Sequence, residues 1–460
     1  MLPPANVVIL AAGLGTRMKS KRAKVLHRAG GLTLIEHVVR AAGEIATPEN
    51  TTVVVGHQAE QVKAALVSTG VQFAEQTEQK GTGHAVMSCR AALKDRNGFV
   101  VVLYGDCPLL SPATLRALLE RQSAGNAAVT LITTRLEDPT GYGRILLNKA
   151  GEVEAIVEQK AATPEQLKVQ LINPGIYCFR ADLLWKHIGE IRPDNPSHEY
   201  YLTDMVEILN GAGHTARAFE IADASELLGI NTRIELAAAD KIFRDRKVRQ
   251  LMLDGVTIER PETVTIDLDV QIGADTIVGA FAQILGNSSI GSDCQIGAPS
   301  IIENAALADG VRVAPFTSIA DSRIGARAQI GPFARLRPGN QVAPNAHIGN
   351  FVELKNTVLG EGAKANHLAY LGDSEIGEKT NIGAGTITCN YDGAKKHRTR
   401  IGKHAFVGSN STLVAPIEIG DDSYIAAGSV VTEAVPPDAL ALGRARQVTK
   451  QNWVSKKKKK

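Results

Sequence analysis

Residues 401–431 read IGKHAFVGSNSTLVAPIEIGDDSYIAAGSVV, and their aliphatic positions decide the fold of the C-terminal half. Ile401, Val407, Leu413, Ile419, Ile425 and Val431 stand six residues apart without a break, and glycine follows the first, second and fourth of them. The same step joins Ile284, Ile290, Ile296 and Ile302, and again Ile376 and Ile382. An amphipathic helix needs an apolar period of about 3.6 and is weakened by every interior glycine. A six-residue aliphatic period belongs instead to a parallel β-helix, in which three short strands close one coil. From about Gly255 onward the chain is read as such a solenoid. On this count Val358, Tyr370, Ile376 and Ile382 fall in phase, while residues 386–400 break the rhythm and are expected to loop out. Interruptions of a repeat array tend to carry function.

Upstream the period changes. Residues 7–10, 52–55 and 100–103 are β-branched runs of the kind buried on both faces of a parallel sheet, and helix-spaced segments at 34–42 and 60–66 lie between them. The first part therefore reads as an α/β domain. Residues 231–249 are charged and alanine-rich with a helical apolar spacing, and read as a connecting helix. The expected division is a domain at 1–233, a helical linker at 234–254 and the solenoid with its tail at 255–460.

Composition narrows the function class. The formal net charge is +3, yet the lysines at 456–460 supply five positive charges, so the rest of the chain carries −2. That balance argues against a nucleic-acid-binding body, and the lysine run reads as a solvated, disordered end. The cysteines number five, are scattered and form no Cys-x-x-Cys pair, which argues against a disulfide framework or a structural zinc site. No apolar run approaches the ~18 residues of a membrane span. A soluble cytoplasmic protein without membrane insertion is expected.

The chemistry begins at residues 10–18, LAAGLGTRM, directly after the first strand. Gly13 and Gly15 let backbone N–H groups face an anion, the following helix would add its dipole, and Arg17 and Lys24 would neutralise phosphate charge. Alone, Gly-x-Gly is equally a tight turn. Met18 stands where a dinucleotide fingerprint needs a third glycine, and the spacing is not that of a Walker loop. Two further strings add to it, residues 76–85, QTEQKGTGHA, and 104–109, YGDCPL. Asp106 ends a strand at the carboxyl edge of the sheet, where metal ligands gather, although a helix cap would suit it too.

The first string resembles the signature of sugar-1-phosphate nucleotidyltransferases, and the second resembles the uracil-reading segment of uridylyltransferases. Over essentially the whole chain the sequence resembles the bacterial bifunctional family that joins an N-acetylglucosamine-1-phosphate uridylyltransferase to a glucosamine-1-phosphate acetyltransferase. The resemblance implies a Rossmann-like α/β nucleotidyltransferase domain followed by a left-handed parallel β-helix, assembled as a homotrimer. It implies acetyl transfer from acetyl-CoA to glucosamine-1-phosphate, then Mg²⁺-dependent uridylyl transfer from UTP to N-acetylglucosamine-1-phosphate. Asp106 and Asn231 would hold Mg²⁺. Leu10, Ala11, Ala12, Gly13, Arg17, Lys24, Gln76, Gly81, Thr82, Tyr104 and Gly105 would line the nucleotide site, and Gly143, Glu158 and Asn173 would meet the sugar. One departure is visible, because the family commonly has proline before the lysine and here Ala23 precedes Lys24.

In the solenoid, residues 367–373, HLAYLGD, resemble the family's acetyltransferase signature. By that resemblance His367 is the general base, oriented by Glu353, and histidine with its ordinary pKa of ~6.5 suits the task. The N–H of Ala384, with Ser409, would bind the oxyanion. Arg337, Lys355, Tyr370, Asn381, Asn390 and Tyr391 would hold the sugar phosphate and amine, and Ala427, Arg444 and Lys396 would face coenzyme A. Asn366 stands beside the base where the family often has glycine. The residues alone also leave open a nucleotidyltransferase whose β-helix only assembles it, and a non-catalytic sugar-nucleotide-binding protein.

Overall fold

A computed structural model describes residues 3–458. The chain divides into two compact units, Met1–Phe243 and Arg244–Lys460. The first is built on a ten-stranded mixed sheet. Its strands are β1 (Ala5–Leu10), β2 (Thr51–Val55), β3 (Gln72–Glu75), β4 (Phe99–Tyr104), β5 (Val129–Arg135), β6 (Gly143–Leu147), β7 (Val153–Val157), β8 (Leu171–Asn173), β9 (Tyr177–Arg180) and β10 (Ala216–Glu220). The order is β3-β2-β1-β4-β9-β5-β8-β6-β7, with β10 on β5.

The four strands β3, β2, β1 and β4 run parallel, with β1 and β2 buried along their whole length. The all-parallel reading fails beyond them. Strand β9 runs antiparallel to both β4 and β5, and β6, β7 and β8 continue antiparallel. A strand covered on both faces has the same apolar pattern in either direction, so sequence does not distinguish the two. Helix α1 (Leu34–Ala42) starts where expected because Thr33 and Glu36 form a reciprocal capping box. Helix α2 (Ala59–Ala65) follows β2. The connecting helix is α3 (Arg233–Leu253), opened by Thr232 and Glu235, whose side chains each accept from the other's backbone N–H.

The second unit is a left-handed parallel β-helix made of three parallel sheets of eleven, ten and nine short strands. Each strand pairs with the one a coil later, as in Gln283↔Ile301 and Ser289↔Ala306. The inward residues form one continuous aliphatic core in which Val407, Leu413, Ile425 and Ile284 are fully buried. The six-residue count slips near the chemistry, however. Leu359 and Leu371 are fully buried, whereas Val358 is 42% exposed and Tyr370 is half-buried. The core steps by five from Leu354 to Leu359 and from Leu371 to Ile376, across Asn356 (φ 50°) and Asp373 (φ 48°). Asn and Asp tolerate the left-handed conformation, and here one such residue turns a corner with one residue fewer.

The excursion from the solenoid is shorter than expected. Strands Ile387–Cys389 and Thr399–Ile401 stay in their ladders, and only the segment between them leaves, closed by a bridge from Tyr391 to Lys396. At the C-terminus Lys456 and Lys457 lie in an exposed one-turn helix, Trp453–Lys457, not in irregular chain. Lys459 and Lys460 lie outside the described residues. Among the described residues no helix is long and apolar enough to cross a membrane.

Candidate active sites

The first unit carries a cavity of ≈ 610 Å³ at the carboxyl ends of β1 and β4. Leu10, Ala11, Ala12, Gly13, Arg17, Lys24, Gln76, Gly81, Thr82, Tyr104, Asp106, Gly143, Glu158, Asn173 and Asn231 all line it. Gly105 does not. Its N–H bonds to the Leu10 carbonyl, and a Cβ there would sit 2.9 Å from Ile35, so it serves β-strand packing behind the wall. The phosphate loop is also built differently from the expectation. Only a three-residue 3-10 turn, Thr16–Met18, follows Gly15, which is too short to present a helix dipole. Positive charge comes from side chains.

Those charges converge. Lys24 Nζ makes an ion pair with Asp106 Oδ2 and lies 3.1 Å from Asn231 Oδ1, and Arg17 Nη2 donates to the same oxygen at 2.8 Å. Asn231 is held at the start of α3, where its N–H donates to Glu235 Oε2 at 2.7 Å. Asp106 and Asn231 thus aim two hard oxygens at one cation, the Lys24 ammonium. This donor set fits Mg²⁺, which takes few protein ligands and completes its octahedron with water and substrate phosphate. Among the described residues no group of three or more His, Cys, Asp or Glu is arranged around a metal position. Ala23 uses the N–H that proline would lack, donating at 2.7 Å to Gln58 Oε1, while Gln58 Nε2 donates to the Lys21 carbonyl. A hydrogen-bonded clasp holds the loop where a proline ring would have stiffened it.

Elsewhere in the cavity, Gln76 is buried and donates to the Gly81 carbonyl at 3.0 Å. Asn173 Nδ2 donates to the Tyr177 hydroxyl, and Asn173 Oδ1 accepts from the N–H of Gly175. Glu158 lies near Asn173 beside Gly143. Burial, and then the Glu199 carboxylate, pull the Glu158 carboxyl above its ordinary range. Tyr104 is likewise raised, chiefly by burial.

On the β-helix, one corner stacks four of the expected residues on successive coils. Leu368 N–H bonds to the Asn350 carbonyl, Gly385 to Leu368, Asn410 to Ala384, and Gly428 to Ser409. His367, Ala384, Ser409 and Ala427 therefore climb one column. His367, Ser409, Ala427 and Arg444 are exposed, and the Ala384 N–H takes no backbone acceptor among the described residues. His367 Nδ1 lies 2.7 Å from Asn350 Oδ1. An amide oxygen can only accept, so the ring donates from Nδ1 and keeps the Nε2 lone pair free. The orienting contact is Asn350, not Glu353 as expected. Glu353 sits in the neighbouring sheet opposite Tyr370, and its carboxylate is taken by Arg337 at 3.2 Å and Arg335 at 3.9 Å.

Most of the residues expected to hold the sugar phosphate gather around Asp373. Lys355 Nζ contacts both Asp373 oxygens at 2.9 Å, Asn356 donates at 2.8 Å and Asn390 at 2.6 Å, with Tyr370 in reach of Asn390 at 3.5 Å. Lys396 joins this cluster and not the residues expected to face coenzyme A. Its ammonium is lowered from the usual lysine range first by Lys355, with Arg337 contributing. Asn381 stands apart, in the sheet that carries Lys364 and Phe406. Tyr391 is exposed on the excursion, its hydroxyl donating to the Gly393 carbonyl.

Residues 7–167 match the MobA-like NTP transferase domain, residues 269–304 the bacterial transferase hexapeptide (six repeats), and residues 398–433 the hexapeptide repeat of succinyl-transferase. The chain is 59% identical over 459 residues to the bifunctional protein GlmU of Solibacter usitatus, covering 100% of this chain and 98% of that one. It is 50% identical to the GlmU of Koribacter versatilis (98% and 97% covered) and 46% identical to that of Brevibacillus brevis (98% and 97%). The chain belongs to the GlmU family. As a member of that family it is a bifunctional transferase of UDP-N-acetylglucosamine synthesis, with acetyltransferase and uridylyltransferase activities on nucleotide and acetyl-CoA substrates. Beside the residues expected from sequence, the structure places Gln79, Thr140, Gly141, Tyr142, Glu199 and Glu235 on the cavity wall and Asn350, Asn356 and Asp373 around the second site. Asn350 and Asp373 were within reach of sequence, because each lies about one coil from His367 or Lys355.

Proposed function

We propose that the first unit performs uridylyl transfer and the β-helix performs acetyl transfer. The observation that carries the first half is the meeting of Arg17, Lys24, Asp106 and Asn231 on one wall of the cavity. Asp106 and Asn231 would hold Mg²⁺, which supplies positive charge against the triphosphate. Lys24 and Arg17 neutralise the remaining phosphate charge, and the 10–13 backbone faces the phosphates. Gln76 and Gly81 read the uracil, and Gly143, Glu158 and Asn173 seat N-acetylglucosamine-1-phosphate. A phosphate monoester with a second pKa of about 6 is already ionised at neutral pH, so its oxygen attacks the α-phosphorus of UTP without a general base, and pyrophosphate leaves. Alignment and charge do the catalysis.

In the β-helix, Nε2 of His367 takes a proton from the 2-amine of glucosamine-1-phosphate as that nitrogen attacks the acetyl-CoA thioester. Asn350 orients the ring, and the Ala384 N–H, with Ser409 one coil on, faces the developing oxyanion. Arg337, Lys355, Lys396, Tyr370 and Asn390 hold the sugar phosphate, and Ala427 and Arg444 meet coenzyme A. The protein works in the cytoplasm as a homotrimer. Two features support the trimer. Asn381 and Tyr370 lie in different sheets of one chain, and Phe316, Phe333 and Phe351 form an exposed stacked ladder with ring spacings of 4.9 and 5.3 Å. Thiol release from acetyl-CoA with glucosamine-1-phosphate, and Mg²⁺-dependent pyrophosphate release from UTP with N-acetylglucosamine-1-phosphate, test the pair. No thiol release would leave the β-helix a scaffold, and release that does not depend on the amine would contradict the acetyl-acceptor reading.

A further inference from the structure

Behind the wall of the first cavity lies a buried positive charge that none of these roles uses. Arg144, the second residue of β6, is 2% exposed. Among the described residues no carboxylate hydrogen-bonds to it, and its Nε has no partner at all. Its bonds go to neutral acceptors on two separate segments. Nη1 donates to the Tyr142 carbonyl, and Nη2 donates to Gln159 Oε1 at 3.1 Å. The same Gln159 oxygen accepts the N–H of Gly141 at 2.8 Å. A guanidinium buried without an ion-pair partner weakens a fold relative to an apolar side chain of similar size, so packing alone does not account for it.

What the arrangement does is tie down one stretch of cavity wall. Thr140, Gly141, Tyr142 and Gly143 line the cavity, whereas Arg144 does not. Gly143 pairs with Asn173 in β8, Arg144 pairs with Val157 at the end of β7, and Glu158 and Gln159 follow directly. The guanidinium therefore bridges the turn that delivers Gly143 to the segment that delivers Glu158. We propose that Arg144, acting through Gln159, is a positioning residue that fixes the 140–143 turn and so sets Gly143 against Glu158 and Asn173 at the sugar-phosphate end of the cavity. The inference rests on the reading above that these three residues seat the sugar phosphate. Arginine is suited to this because its planar fork reaches two acceptors at once, which a lysine ammonium on a flexible stem does not reproduce.

The test uses full-length protein and steady-state uridylyl transfer, varying N-acetylglucosamine-1-phosphate at saturating UTP and then the reverse. Arg144→Lys and Gln159→Ala should each raise KM for the sugar phosphate by about 10- to 100-fold, the scale of a misplaced binding wall, while KM for UTP stays within about twofold. The double variant should be no worse than either single one, because both break the same oxygen's contacts. Gln159→Glu, which keeps an accepting oxygen, should restore the sugar KM. A parent-like melting transition of the first unit, with UTP still raising its Tm, reports that this unit has folded. If Arg144→Lys does not fold, the half-buried Gln159→Ala decides alone. An unchanged sugar KM, or equal rises for both substrates, overturns the clamp. Asn173→Ala separates the two levels. A raised sugar KM there with none in the clamp variants sinks the clamp only, and no rise in any of them sinks the sugar assignment itself.

Discussion

Replacing Asn350 by alanine removes the one hydrogen bond that the His367 ring makes among the described residues. The bond is 2.7 Å long, exposed, and joins a ring N–H to an amide oxygen. Its net worth is about 0.5–1.5 kcal/mol, so losing the ring's orientation should lower acetyl-transfer kcat by about 2- to 13-fold. That lies well below the ~10²–10⁴-fold expected when the base itself is lost in His367→Ala. The assay is thiol release from acetyl-CoA at saturating glucosamine-1-phosphate and neutral pH. Asn350→Asp, which keeps an accepting oxygen, should retain the rate. Glu353→Gln should act elsewhere, because Glu353 braces Arg337, and should raise KM for the sugar phosphate with little change in kcat. A Glu353→Gln variant that loses more than about tenfold in kcat, beside an unimpaired Asn350→Ala, would refute the assignment of the orienting contact.

A chain ending at Phe243 should keep uridylyl activity and melt well above one ending at residue 233. The longer one keeps Asp240 on the Gly30 N–H and Phe243 stacked 4.0 Å from His37, and a buried aromatic is worth about 3–5 kcal/mol. Asp204 is pulled up to about 6 by burial, then by Glu207 and Glu158. Its folded pKa exceeds its unfolded value, so the stabilisation it contributes is present below about pH 4 and lost as pH rises through the folded value. Asp204→Asn should therefore raise Tm near about pH 7.5 and leave it unchanged near about pH 4, which calorimetry at both values checks. Gly15→Ala forces a residue with φ 61° to carry a Cβ 2.6 Å from that of Lys24. It should cost about 1 kcal/mol or more of stability and displace Lys24, seen as a lower Tm and weaker UTP binding by calorimetric titration.

The fold was legible wherever one local rule dominated. An unbroken six-residue aliphatic period admits a β-helix and little else, and β-branched runs separated by helical spacing announce the parallel core of the first unit. What escaped depends on long-range geometry. The reversal of β9 is invisible because a strand buried on both faces reads alike in both directions. The phase slip at Val358 and Tyr370 arises at Asn356 and Asp373, whose positive φ shortens two corners. Counting coils of variable length needs those corners, and a strict count of six overlooks them.

The sites divide along the same line. Lys24, Asp106 and Asn231 converge because Lys24 and Asp106 follow the neighbouring strands β1 and β4 and Asn231 immediately precedes the capped start of α3. Glu353 was expected beside His367 on the family resemblance, yet in the solenoid it lies one coil from Arg335 and in a different sheet from His367. Lys396 looked like a coenzyme A contact, but the excursion folds it beside Lys355. Arg144 directly follows Gly143 in the sequence, and only its burial without a hydrogen-bonded carboxylate marks it out.

The division of labour between the two units is tested most directly by measuring both reactions on two full-length variants, each reaction started from its own substrate. Asp106→Ala should lose uridylyl transfer from UTP to N-acetylglucosamine-1-phosphate and keep acetyl transfer at the parent rate. His367→Ala should lose acetyl transfer by about 10²–10⁴-fold and keep uridylyl transfer unchanged. Either substitution lowering both rates together, in a protein that melts at the parent temperature, would contradict the assignment of one chemistry to each unit.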